Sequence, residues 1–157
     1  MSKSFVLPLA LSLALVLASC GRKPDPVGPT TSLPEQLVGT WTIQSVKLDG
    51  VETPLAEAFG WGPNTVSSRM TIEENGNYSG REFNGTGAAV YTETGLVSVN
   101  EKNISITIET ADGKALTPPE GKTGQWEVAK NDGGESYLTL TISDGGQLSE
   151  IIYVKSI

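Results

Sequence analysis

Period-two alternation dominates the chain from about residue 38 onward. "ISITIE" puts Ile104, Ile106 and Ile108 on one face and Ser105, Thr107 and Glu109 on the other. "YLTLTI" sets Leu138, Leu140 and Ile142 on one face, and "VSSRMTI" alternates Val66, Ser68, Met70 and Ile72. Apolar and β-branched residues at every second position predict half-buried strands. Between the runs lie "ENGN", "FNGT", "ADGK", "NDGG" and "SDGG". Each carries Asn-Gly or Asp-Gly, pairs that accept the positive φ of a type I′ hairpin turn. Helical periodicity is nearly absent.

The pattern predicts strands near 38–48, 66–74, 77–84, 87–92, 96–100, 103–109, 124–130, 136–142 and 147–155. Most joins are too short for a crossover, so neighbours should pair antiparallel. The expected fold is all-β, an antiparallel up-and-down β-barrel of eight to nine strands, which leaves no exposed sheet edge. One break is long, Val51 to Thr65. Its "PLAEAFG" has Pro first, Gly last and helix formers between, which predicts one short helix after the first strand. Leu55 and Phe59 are four apart and would share a face of that helix, with Trp61 just beyond. This segment should cover one barrel end. Leu55, Phe59 and Trp61, with Tyr78 and Tyr91 on strands, are the candidate ligand-binding residues.

The first 34 residues follow other rules. After Lys3, Phe5 to Ala18 is apolar apart from Ser12, and small residues follow. That is the layout of a secretory signal, shorter than the roughly 20 residues a membrane span needs. Cys20 is the single cysteine, so it has no disulfide partner within the chain. "GRKPDPVGPTTSLP" (Gly21 to Pro34) is a Pro/Gly-rich tether, which at about 3.1 Å per residue reaches on the order of 40 Å. The organisation read from sequence is signal peptide 1–19, tether 20–34 and barrel domain 35–157.

"LASC" (Leu17 to Cys20) resembles the lipobox of bacterial lipoproteins. The resemblance implies a diacylglyceryl group on the Cys20 sulfur, cleavage before Cys20, and acylation of the new amino group by a palmitate-type chain. Three acyl chains make a lasting anchor, at about 0.8 kcal/mol per buried CH2. The membrane would then be a partner, and the bacterial cell envelope the location. Gly21, where inner-membrane lipoproteins tend to carry Asp, implies the outer membrane of a Gram-negative cell. In a Gram-positive cell the protein would sit on the outer face of the cytoplasmic membrane.

"LVGTWTIQSVKLDG" (Leu37 to Gly50) opens the domain, and its Gly39-Thr40-Trp41 resembles the G-x-W motif of lipocalins and fatty-acid-binding proteins. The resemblance implies a lipocalin-like barrel with Trp41 packed across its closed end against a basic residue of the last strand. The matching residue is Lys155 in "IIYVKSI". A second lipocalin motif of the T-D-Y kind is missing, and the chain ends on its last strand.

Charge and composition then remove function classes. The chain carries 11 basic and 18 acidic residues, a net charge of −7. Without a basic footprint, nucleic acid is not an expected partner. There is no histidine, which removes Ser-His-Asp triads and His-ligated zinc. The single thiol is assigned to the anchor. Asp112, Asp132 and Asp144 read as turn residues, since no D-x-D-x-D loop is present. No catalytic residue, metal or cofactor is expected, and the protein is read as a non-enzyme. The expected function is a membrane-tethered protein that binds a small apolar or amphipathic ligand. The alternative is a barrel filled by side chains, serving as an envelope spacer or protein-interaction module. A cavity of about 300 Å3 or more would separate the two.

Overall fold

The computed structural model describes residues 32–156. Cys20, the signal segment and most of the tether lie outside the described residues. Within them are strands β1 (Gly39–Leu48), β2 (Val51–Thr53), β3 (Thr65–Ile72), β4 (Asn77–Asn84), β5 (Ala89–Asn100), β6 (Asn103–Ala111), β7 (Lys114–Lys130), β8 (Ser136–Asp144) and β9 (Gln147–Lys155), with a helix α1 (Leu55–Ala58) after β2. From β3 to β9 each strand pairs antiparallel with the next, and β1 pairs with both β3 and β9. An eight-stranded barrel results. The short β2 folds back on the half of β1 that β3 leaves free: β3 pairs with Gly39 to Thr42, and β2 with Val46 to Leu48.

Hairpin chemistry fixes this topology. At Asp112-Gly113 and Gly145-Gly146 both turn residues have positive φ, which matches the twist of the flanking strands. Asp49-Gly50 does the same. That pair starts the β1–β2 hairpin inside the segment expected to be loop, so Val51–Thr53 is a strand.

Two further boundaries differ from expectation. The predicted strands 87–92 and 96–100 are one strand, β5, continuous through "TETG". The register shift beside Gly95 is taken up by an extra residue, Glu109, on β6, so β5 runs on unbroken. β7 begins at Lys114, well before the expected residue 124. Pro118 and Pro119 lie where the register jumps from Thr110↔Ala115 to Ile108↔Glu120. No ladder hydrogen bond is needed there, so prolines are tolerated.

Alternation places the core inside the barrel. Ile104, Ile106 and Ile108 of β6 and Leu138, Leu140 and Ile142 of β8 are buried. On β1 the phase changes, from Trp41 and Ile43 to Val46, because a bulge at Gln44 adds one residue between Ile43 and Ser45. Leu33 and Leu37 also join this core, so the packed chain begins within the segment read as tether.

The two barrel ends differ. One is formed by the start of β1 and the end of β9, with the turns β3–β4, β5–β6 and β7–β8. The other carries α1 and the remaining hairpins.

Candidate functional site

The first end is shut. Trp41 and Leu37 are fully buried. The Trp41 indole N–H donates to the Leu37 carbonyl at 2.9 Å, and the Lys155 Nζ lies 5.3 Å from the Trp41 ring centroid. Trp41 and Lys155 are register partners across β1 and β9. The φ of Gly39 is 137°, which favours glycine, and its missing side chain leaves room for the Lys155 Cε, 2.7 Å from where a Cβ would stand. The three residues of the G-x-W resemblance thus meet in one contact. Trp126 adds a second ring at this end, its indole N–H bonded to the Glu101 carbonyl of the β5–β6 turn at 3.1 Å.

The other end opens into a cavity of about 420 Å3 inside the barrel. Its floor is apolar, with Ile43, Met70, Ile106, Leu140 and Ile151. Phe59 and Trp61 border its mouth, their rings stacked with centroids 5.7 Å apart. Tyr78 and Tyr91 also line it. Of the five candidate ligand residues, these four border one space. Leu55 does not: it packs on the margin of the core. α1 is too short for the shared face that the four-residue spacing implied. Phe59 is its C-cap, and its ring turns to Trp61 instead of pairing with Leu55.

Glu93, Gly80 and Tyr153 are among the lining residues that escaped the sequence reading. Glu93 sits at the centre of the polar part. The Tyr78 hydroxyl donates to Glu93 Oε1 in a very short hydrogen bond, and the Tyr91 hydroxyl donates to Oε2 at 3.3 Å. Gly80 makes room for this group, since a Cβ there would lie 2.7 Å from Glu93 Oε1 and 2.8 Å from the Tyr78 hydroxyl. Register explains the convergence. Gly80 pairs with Glu93, and Glu82 with Tyr91, so all four side-chain directions point inward. Tyr153 had a signal in its sequence spacing, two residues after the buried Ile151 on the same strand face.

The electrostatics follow from this enclosure. Burial, then the Glu93 charge, holds the Tyr78 hydroxyl well above the usual tyrosine range. The same two causes push Tyr91 up to about 12 and Tyr153 higher still. Part of the Tyr153 surface is accessible, but the ring faces the cavity and is enclosed by protein. Glu82 is raised by burial, with the Trp61 indole N–H opposing and the charges of Glu93 and Asp112 adding to the rise. The ion pair among the described residues, Lys47–Glu150 at 2.6 Å, joins two half-exposed side chains of β1 and β9 away from the cavity lining. Lys122 and Glu120 border the mouth but stay exposed, because the first half of β7 pairs with β6 alone and rises past β8.

A second depression, about 530 Å3, lies on the outer wall across β5 to β9 and is lined mainly by Ser, Thr and Asn. It is a trough open to solvent with no converging charged groups. The interior cavity is the better candidate site.

A closed antiparallel barrel, plugged by a tryptophan at one end and hollow toward the other, defines a lipocalin-like container. A family model described as a lipocalin-like domain matches residues 37–120, more than half of the chain, and the chain belongs to that family. Lipocalin-like barrels are in general binding folds and not enzymes. No curated protein matches the chain.

Proposed function

We propose that this protein holds a small amphipathic molecule in its barrel while tethered to a bacterial membrane through acyl chains on Cys20. The observation that carries the reading is the 420 Å3 cavity with an apolar floor, a polar middle and an aromatic mouth. Its volume lies within the range of about 300–1,000 Å3 typical of small-molecule sites. A spacer would need no such void, and a void left without a ligand forfeits packing contacts. Leu33 hydrogen-bonds Glu74 at the β3–β4 turn, so the tether joins the barrel at the Trp41 end and leaves the mouth free.

Among the described residues the barrel closes on itself and its core runs from Leu33 to Ile151, so the chain from Gly21 onward is the form to test. Titrated with a series of amphiphiles, it should show saturable one-to-one binding with a change in Trp61 emission. Trp61 is the reporter because Trp41 and Trp126 are buried at the closed end. The double change Phe59→Ala and Trp61→Ala should weaken binding about tenfold, read by calorimetry, and leave the unfolding midpoint within about 0.5 kcal/mol of the parent. Absence of saturable binding across single-chain amphiphiles, sterols and isoprenoids would return the protein to the spacer reading.

The anchor has its own test. Full-length protein expressed in a bacterial host should incorporate labelled palmitate and partition into the detergent phase. Cys20→Ser should abolish the label completely. Unacylated, freely soluble wild-type protein would remove the tether from the proposal.

A further inference from the structure

We infer that the cavity selects ligands with a cationic head, an amine or quaternary ammonium on a small apolar body, with Glu93 as its counter-charge. The inference rests on the binding reading above and narrows it to a ligand class.

Glu93 carries a charge into the barrel interior, and among the described residues no cationic group lies within 4.0 Å of it. An enclosed charge is costly unless it is paired. The fold nevertheless builds a place for it. Gly80 leaves the room, and the Tyr78 and Tyr91 hydroxyls each donate to one carboxylate oxygen. Two donors do not exhaust a carboxylate, which has about four acceptor positions. The remainder face the cavity.

The surroundings favour the same sign. Tyr78, Tyr91 and Tyr153 line the same cavity as Glu93, and Trp61 and Phe59 lie at its mouth, so aromatic surface, which attracts cations, is at hand. Glu82 lines the wall above, and its carboxyl is pushed up in part by the charges of Glu93 and Asp112. The lining as a whole carries three carboxylates, Glu82, Glu93 and Glu120, against two cations, Arg81 and Lys122. Two cations border the cavity, and neither neutralises Glu93. Arg81 belongs to the outward phase of β4, paired with Thr92 and Arg69 and stepping between the inward Gly80 and Glu82. Lys122 is exposed on the overhanging part of β7. A carboxylate-headed amphiphile would meet Glu93 charge to charge, whereas an ammonium would complete its coordination while the apolar body rests on the floor.

The test uses one chain length and three heads: octyltrimethylammonium, octanoate and 1-octanol, each below its micellar range, titrated calorimetrically into the chain from Gly21 onward. The cation should bind at least about tenfold more tightly than octanoate. Glu93→Gln should reduce cation affinity about tenfold and 1-octanol affinity far less, and an unchanged urea unfolding midpoint shows that the variant barrel is intact. Equal or tighter binding of octanoate by the parent protein overturns the inference, whatever the variant does. So does a Glu93→Gln protein that keeps the preference for the cation. Should 1-octanol or octanoate bind without any charge preference, cation selection fails and the ligand-binding function survives. If none of the three binds, both fail.

Discussion

Trp41→Ala is expected to cost about 3–5 kcal/mol of folding stability, a large share of the roughly 5–15 kcal/mol a small domain has. The ring is fully buried, so its removal leaves a cavity at the closed end. Two further losses follow. The Leu37 carbonyl loses its indole donor, and Lys155 loses the ring face it lies over. Urea unfolding followed by far-ultraviolet circular dichroism checks this. Trp41→Phe should keep much of the packing and lose chiefly the hydrogen bond, about 1 kcal/mol beyond the volume change. Lys155→Met should cost less than Trp41→Ala, since cation–π contacts contribute about 0.5–2 kcal/mol. An unchanged unfolding midpoint in Trp41→Ala would mean that the closed end is not what holds the barrel shut.

Gly95→Ala is the second large effect. A Cβ at Gly95 would lie 1.8 Å from the Thr107 carbonyl oxygen and 2.8 Å from its carbon, both main-chain atoms of β6. Rotamer changes give no relief, so β5 and β6 must separate where their register shifts. The expected loss is about 3 kcal/mol or more, at the upper end of overpacking costs. Ligand binding should fall too, because Glu93 lies two residues before Gly95 and its inward direction depends on how β5 and β6 meet there. Gly121→Ala is the matched control. A Cβ there meets nothing within 4 Å, so the change should stay within about 0.5 kcal/mol. Similar midpoints for the two variants would show that β5 and β6 are not held this close in solution.

Much of the barrel was legible because hairpins are local. An alternating run ended by Asp-Gly needs only its neighbour to pair with, and Ile104 to Ile108 or Leu138 to Ile142 declare their inward faces unaided. The G-x-W motif was legible for a similar reason, since Gly39 and Trp41 are two residues apart and Lys155 follows an apolar alternating run that reads as a strand. The short helix was also readable from its Pro and Gly boundaries, although its length was not.

The candidate site was only half legible. Aromatic side chains announce themselves, and Phe59, Trp61, Tyr78 and Tyr91 do share one cavity. Glu93 did not, because it falls in the gap left between the predicted strands 87–92 and 96–100, where Gly95 breaks the alternation. Its strand continues only because β4 and β6 bind it from both sides and Gly95 lets β6 approach. The same applies to Gly80, whose missing side chain matters only once Glu93 stands opposite. By itself the sequence determined the class of fold, the hairpin order and the closed end, all of which rest on local alternation, turn chemistry and one compact motif. The tertiary structure alone decided that the barrel is hollow and that a carboxylate occupies its interior. Both depend on side chains from β1, β3–β6, β8 and β9 meeting in three dimensions, and no short-range pattern encodes the space left between them.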